Sequence, residues 1–328
     1  MPTCLIALGS NLGDRAQVLG RAVQAVASLP STQLSAVSSW HSTAPVGGPA
    51  GQGEFLNGAL LVETRLPAAE LHRLLKQTEV AAGRTPGARW AERVLDLDIL
   101  LYGDTVLVTP ELTLPHPRMA FRRFVLAPAA EIAAEMRHPT IGWSISELLV
   151  HLETATPYVA VTATDRDKSH ELAVRVAERG SARLIEDRYS PKTGARPVES
   201  SSRNLQSGIE LARHRAARLN RAAWPAEPAW TISSFWFDDV LLWAEGAAEG
   251  ERQELIAAWQ AALPGLVRPK LLVFLDQRAA PNHVLADPRA QRLEDLVSRP
   301  GLGPILRLST ERLDENVAEV VAAMDAMS

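Results

Sequence analysis

The stretch Val94-Leu95-Asp96-Leu97-Asp98-Ile99-Leu100-Leu101-Tyr102 alternates aliphatic and acidic residues through its first half, the period of a β-strand with one face on a core. Leu95, Leu97 and Ile99 then point inward, while Asp96 and Asp98 leave together by the opposite face. At about 6 Å and an effective dielectric near 20 the two carboxylates repel by roughly 3 kcal/mol. A shared divalent cation reverses that cost. Taken alone, the pair also fits an ordinary solvated strand face.

Working outward, Thr3 to Leu8 is an apolar run that ends in the turn residues Gly9-Ser10-Asn11-Leu12-Gly13-Asp14, with Asp14 placed to cap a following helix. Val18, Leu19, Ala22, Val23, Val26 and Leu29 recur at helical spacing until Pro30. Residues 33–42 read as a strand and Thr43 to Gly53 as a Pro/Gly-rich loop. Phe55 to Thr64 reads as a second strand able to pair with the first. Pro67 opens another helical period through Leu71, Leu74, Leu75 and Val80, and Gly83 suits its C-terminal end. The order strand, helix, strand, strand, helix, strand predicts an α+β ferredoxin-like domain with its helices on one face. Further helical pieces follow from Arg118 to Leu152, and the pattern breaks at residues 153–157, which predicts domains at 1–155 and 156–328.

The chain has 328 residues, 46% of them hydrophobic and 22% charged, with a net charge of −4, enough length for about two domains. The first part carries 12 basic and 14 acidic residues and the second 22 and 24, so neither has the basic excess of a nucleic-acid binder. A single cysteine, no long apolar run and no cationic start predict a soluble cytoplasmic protein without a membrane span or secretory signal. Charge is nonetheless concentrated locally. Arg84, Arg89, Arg93, Arg118, Arg122 and Arg123 lie within forty positions, with Trp90 and His116 among them and the two aspartates at the centre. Acids that hold hard cations, guanidiniums that clamp phosphates and an indole that stacks on a planar ring together suit magnesium-nucleotide chemistry.

The segment Arg89-Trp90-Ala91-Glu92-Arg93-Val94-Leu95-Asp96-Leu97-Asp98-Ile99-Leu100 resembles the signature of the 6-hydroxymethyl-7,8-dihydropterin pyrophosphokinase family. So do Ala7-Leu8-Gly9-Ser10-Asn11-Leu12-Gly13-Asp14, Thr43-Ala44-Pro45-Val46-Gly47-Gly48-Pro49 through Phe55-Leu56-Asn57, and Leu114-Pro115-His116-Pro117-Arg118-Met119. The resemblance spans residues 3 to about 150. It implies transfer of pyrophosphate from ATP to the hydroxymethyl oxygen of 6-hydroxymethyl-7,8-dihydropterin, with AMP leaving, in folate biosynthesis. It further implies that Asp96 and Asp98 bind two magnesium ions and that Arg84 and Arg93 act with them on the phosphates. Thr43, Val46, Phe55, Asn57, Trp90 and Phe124 would hold the pterin, while Glu79, Arg89, His116 and Arg122 would serve ATP. Such a reaction needs positioning and charge neutralisation more than covalent help. The chain departs from the family pattern at Ala44, at a shorter 84–92 loop with Pro86 and Gly87, and at Ala120-Phe121. Those departures keep open a domain that binds pterin or nucleotide without turnover.

In the second half, Tyr158 to Thr162, a loop, Lys168-Ser169 and a helix through Arg179 have the outline of a phosphate-binding loop, with Ser181 to Glu186 as a following strand. Together with Ser233-Ser234-Phe235-Trp236-Phe237-Asp238-Asp239 and Pro269-Lys270-Leu271-Leu272-Val273-Phe274-Leu275-Asp276 this resembles the deoxynucleoside kinases, implying an α/β parallel-sheet P-loop-kinase-like domain. A Walker loop needs glycines where Thr162 and Asp167 stand, because its amides wrap the phosphates closely. Asp165 and Asp167 also bring negative charge to that place. The domain is therefore expected to be inactive, with a bifunctional enzyme that phosphorylates deoxynucleosides as the alternative. Trp224, Trp230, Trp236, Trp243 and Trp259 read as core, with a homodimer through this half as a further expectation. Residues 189–203 read as a mobile loop and His214, between Arg213 and Arg215, as a solvated helix face.

Overall fold

The computed structural model describes residues 1–48, 51–84, 92–187, 205–225, 230–244, 248–276 and 288–328. The chain divides into two compact units, Met1–Thr154 with Ala322–Ser328, and Ala155–Val321. The mobile-loop expectation for 189–203 falls outside the described residues.

Unit 1 is built on an antiparallel sheet. Its strands are β1 (Thr3–Ser10), β2 (Thr32–Val37), β3 (His41–Thr43), β4 (Phe55–Thr64) and β5 (Asp96–Tyr102), in the order β2-β4-β1-β5 with β3 also on β4. Helix α1 (Arg15–Ala27) joins β1 to β2, and α2 (Ala68–Ala81) joins β4 to β5. The Asp14 carboxylate caps α1 by accepting from the Gln17 amide at 3.0 Å. Cys4, Ile6, Leu8, Leu60, Val62, Leu97 and Ile99 form one core face under Leu19, Val23 and Val26 of α1 and Leu71 and Leu75 of α2. Leu5 and Ala59, which alternate with these residues and point the other way, are also fully buried.

Two expectations need correction. The stretch 33–42 is two strands, because Ser38 turns its hydroxyl to the Ala59 amide at 2.8 Å and interrupts the ladder that a continuous strand would make. Helices also occupy both faces of the sheet: α3 (Arg123–Ala133), preceded by a 3₁₀ turn at Met119–Phe121, packs on β4, β1 and β3 yet adds nothing to the core under α1 and α2. The short hairpin β6 (Leu107–Val108) and β7 (Thr113–Leu114) and helix α4 (Ile145–Thr154) complete the unit.

Unit 2 is a parallel sheet of β8 (Tyr158–Ala163), β9 (Arg183–Ile185), β10 (Thr231–Ser233), β11 (Leu271–Asp276) and β12 (Ile305–Ser309), in the order β12-β11-β8-β10-β9. Helices α5 (Arg166–Arg179), α6 (Leu205–Arg218), α7 (Glu249–Ala262), α8 (Pro288–Val297) and α9 (Leu313–Ala326, counted in unit 2 through Val321) alternate with the strands. Every residue of β8 is buried, as a strand covered on both faces requires. Trp236 and Trp243 are core residues as expected, and Trp224 and Trp259 pack against the cores from their edges. Trp230 is instead half-buried beneath the Lys270 ammonium, 5.6 Å from its ring centroid.

Candidate active site

Strand register assembles the site. Gly9 of β1 lies opposite Asn57 of β4 on one side and Asp96 of β5 on the other, and His41 of β3 lies opposite Asn57. One row therefore runs His41, Asn57, Gly9, Asp96 across four strands, with Asn57 and Asp96 about 10 Å apart at two strand spacings. The neighbouring row carries Ala59, Ala7 and Asp98. Side chains in both rows leave the sheet opposite to the α1 and α2 core, the face on which Asn57 and the two aspartates share a floor. Gly9 leaves that floor bare: a Cβ there would come 3.1 Å from the Asn57 side-chain oxygen and 3.9 Å from the Phe55 ring.

At one end of the row, the Asn57 amide nitrogen donates to the Thr43 hydroxyl at 2.8 Å. Phe55 and Val46 are half-buried beside it. Phe124, at the start of α3, is half-buried with the Arg122 guanidinium 5.5 Å from its ring centroid, which joins a pterin candidate to an ATP candidate. Arg89 and Trp90 lie outside the described residues.

At the other end, Asp96 accepts from Arg84 at 2.9 Å and from Arg93 at 2.8 Å on each oxygen. Asp98 faces the Lys76 ammonium at 3.5 Å and His116 Nε2 at 3.8 Å. Burial works against the charged Asp98 carboxylate, but His116, Lys76, Arg122 and Arg93 outweigh it and hold its pKa below the ordinary carboxylate range. Burial pushes His116 down to about 4, with Asp98 pulling the other way. At neutral pH His116 is thus uncharged, and Asp98 is held ionised by Lys76, Arg122 and Arg93. His116 Nδ1 accepts from the Arg118 amide at 3.2 Å, so the neutral ring keeps its proton on Nε2, toward Asp98.

Glu79 was expected to serve ATP, and its carboxylate is instead spent on the protein. It is 1% exposed and accepts from Lys76 at 2.8 Å and from the Leu97 amide at 2.7 Å, and it pairs with Arg84. Lys76 also donates to the Leu97 carbonyl at 3.0 Å. Because β5 is an edge strand, the Leu97 amide and carbonyl point away from β1, and Lys76 and Glu79, three apart on α2, satisfy both. Sequence reasoning missed Lys76; its spacing from Glu79 on one helix face was the available signal.

The donor set suits a divalent cation. Two hard carboxylates share a face, and among the described residues no cluster of three or more His, Cys, Asp or Glu forms a closed cage. A cation held here takes its remaining ligands from phosphate oxygens and water, the habit of magnesium.

In unit 2 the strand-to-helix turn after β8 is only Thr164-Asp165. Asp165 caps α5 by accepting from the Asp167 amide at 3.0 Å, Lys168 donates to the Thr310 carbonyl at 3.3 Å, and the buried Ser169 hydroxyl binds the Arg166 and Ser234 carbonyls. The helix face around His214, expected to be solvated, is so only in part, with Arg213 exposed and His214 half-buried. Arg215 is fully buried. It donates to Asp187 at 2.6 Å and to the Trp236 carbonyl at 3.1 Å, pairs with Asp239, and lies 4.6 Å from the Phe235 ring centroid.

Residues 5–134 match the family model described as 7,8-dihydro-6-hydroxymethylpterin-pyrophosphokinase (HPPK). The 2-amino-4-hydroxy-6-hydroxymethyldihydropteridine pyrophosphokinase of Pseudomonas aeruginosa is 42% identical over 144 residues, 44% of this chain and 88% of the relative. That of Bacillus subtilis is 45% identical over 131 residues, 40% of this chain and 78% of the relative. Among solved structures, HPPK-DHPS of Plasmodium falciparum with pteroate has a TM-score of 0.37 at 11% identity, covering 84% of this chain and 68% of that one. The deoxyadenosine kinase of M. mycoides also has a TM-score of 0.37, at 8% identity, covering 50% of this chain and 96% of that one. Both scores are too low to carry a fold assignment. With two relatives above 40% identity matched over most of their own length, this chain belongs, through its N-terminal unit, to the 7,8-dihydro-6-hydroxymethylpterin-pyrophosphokinase family.

Proposed function

We propose that unit 1 transfers pyrophosphate from ATP to the hydroxymethyl oxygen of 6-hydroxymethyl-7,8-dihydropterin, releasing AMP, as a step of folate biosynthesis. The observation that carries this reading is the single row placing Asn57, the bare Gly9 floor and Asp96 side by side. The amide of Asn57, steadied by Thr43, reads the ring edge, while Phe55, Phe124 and Val46 supply its apolar walls and Trp90 joins them by the family resemblance alone. The ring lies over Gly9 with its hydroxymethyl arm toward Asp96 and Asp98. Those two carboxylates would hold magnesium, two ions in this reading, which would supply charge neutralisation on the transferring phosphates. Arg84 and Arg93, paired with Asp96, serve the arriving phosphates, with Arg122 and neutral His116 on the ATP side and Arg89 assigned to ATP by the family resemblance alone. Glu79 positions Arg84 and the β5 edge. The hydroxymethyl oxygen attacks the β-phosphorus in line, its proton passes to solvent and AMP departs.

The same reading makes unit 1 ferredoxin-like, from its βαββαβ order, and makes unit 2 a parallel kinase-like fold without a working phosphate loop. The self-capped turn before α5 and the Lys168 bond to Thr310 support the latter. A role for unit 2 in pairing subunits and a cytoplasmic site of action complete it; no helix among the described residues is long and apolar enough to cross a membrane. The test is purified full chain with magnesium, ATP and the pterin. AMP must form in a pterin-dependent way, and Asp96→Ala or Asp98→Ala must abolish it. Pterin-independent AMP, or none, overturns the proposal.

A further inference from the structure

One carboxylate outside the assigned groups is tied to the same face. Glu131, on α3, accepts from the Ser39 amide at 2.8 Å, from the Ser39 hydroxyl at 2.7 Å and pairs with His41 Nε2 at 2.6 Å. Three bonds on one side chain gather the segment that leads into β3. The backbone and hydroxyl bonds of Ser39, then the His41 contact, draw the Glu131 pKa down to about 2.

What that segment carries makes the clamp functional. His41 lies directly opposite Asn57, and Thr43, two residues on and on the same face, accepts the Asn57 amide. Between Ser39 and His41, Trp40 turns to the opposite face and covers Gly58, where a Cβ would meet its ring at 2.3 Å. The strand is only three residues long, too short to hold its place by ladder bonds alone. On the helix side, Glu131 is seven residues after Phe124, two turns along the same face of α3. One side chain thus ties together the element that presents Phe124 and the element that presents Thr43.

We infer that Glu131 is a positioning residue for the pterin: by clamping Ser39 and His41 to α3 it fixes the separation between Phe124 and the Thr43–Asn57 pair. This rests on the pterin reading above. The hydrogen bonds and ion pair of Glu131 go to Ser39 and His41, and none joins it to Asp96, Asp98 or His116.

The experiment uses the full chain with 6-hydroxymethylpterin, followed by fluorescence titration, and a non-hydrolysable ATP analogue titrated separately. Glu131→Ala is expected to weaken pterin binding about five- to tenfold while leaving the analogue's Kd within about twofold. Glu131→Gln, whose amide oxygen can still accept from the Ser39 amide while its NH2 donates to the Ser39 hydroxyl or His41 Nε2, is expected to restore pterin binding to within about twofold of the parent. Equal weakening of both ligands, or none of either, overturns the inference while leaving the pterin reading intact. A parent chain that binds no pterin overturns both. Should Glu131→Ala fail to fold, His41→Ala removes one of the three bonds and is expected to weaken pterin binding about threefold; an unchanged Kd there is equally fatal.

Discussion

Asp98 and Glu79 show how the same side-chain type takes opposite parts. Asp98 is half-exposed on the open face and kept ionised by the cations around it, so Asp98→Asn should lower kcat on the order of a hundredfold or more with folding intact, read by AMP release and circular dichroism. Glu79 is buried and serves the β5 edge. Glu79→Ala leaves the buried Leu97 amide without its acceptor and takes one partner each from Lys76 and Arg84, and should destabilise unit 1 by about 2–4 kcal/mol in urea unfolding. His138, buried away from the site, has its pKa pushed to about 4 by desolvation, against a backbone hydrogen bond that raises it. In an unfolded chain it titrates near 6.5. Between those values only the unfolded state takes up the proton, so its contribution is full above about pH 6.5, falls as the pH drops, and levels off below 4. The total is about 3 kcal/mol. Urea midpoints measured from pH 7 to 4 should show this slope, and His138→Gln should flatten it.

Elements show where periodicity is enough and where it is not. The Leu95, Leu97, Ile99 alternation and the helical spacing of α1 are properties of short stretches, and β5 and α1 follow them. The break between β2 and β3 is a property of two distant segments: Ser38 gives up its strand role because the Ala59 amide takes its hydroxyl, which nothing in residues 33–42 announces. The covering of the second sheet face by α3 was illegible for the same reason. Trp40 and Gly58 are matched across β3 and β4, and Gly58→Ala should cost about 1–3 kcal/mol through overpacking, with pterin affinity falling as β3 shifts. Differential scanning calorimetry beside a pterin titration checks both.

For the whole molecule, the family match ends at residue 134 and unit 2 must be argued from its own residues. A phosphate loop requires free amides and a lysine free to swing. Here the α5 cap uses the Asp167 amide, Thr310 holds Lys168, and the strand ends are filled by the pairing of Arg215 with Asp187 and Asp239. The full chain with ATP and thymidine or deoxycytidine should therefore form no nucleotide product, with or without Lys168→Ala. Arg215→Met leaves Asp239 without its arginine and Asp187 with Arg166 alone, and should destabilise unit 2 by about 3–5 kcal/mol in calorimetry.

The signature around Asp96 and Asp98, the arginine cluster and the break near residue 155 were legible in the chain read alone, because each depends on residue type at close spacing. Tertiary structure decided the rest: that Asn57 and Asp96 share a row through Gly9, that Glu79 is bound inward while Lys76 faces Asp98, that Glu131 reaches Ser39 and His41 across 90 residues of chain, and that Arg215 is buried. Strand register and the pairing of buried charges are settled by contacts between segments far apart in the chain, and a local pattern carries no record of them.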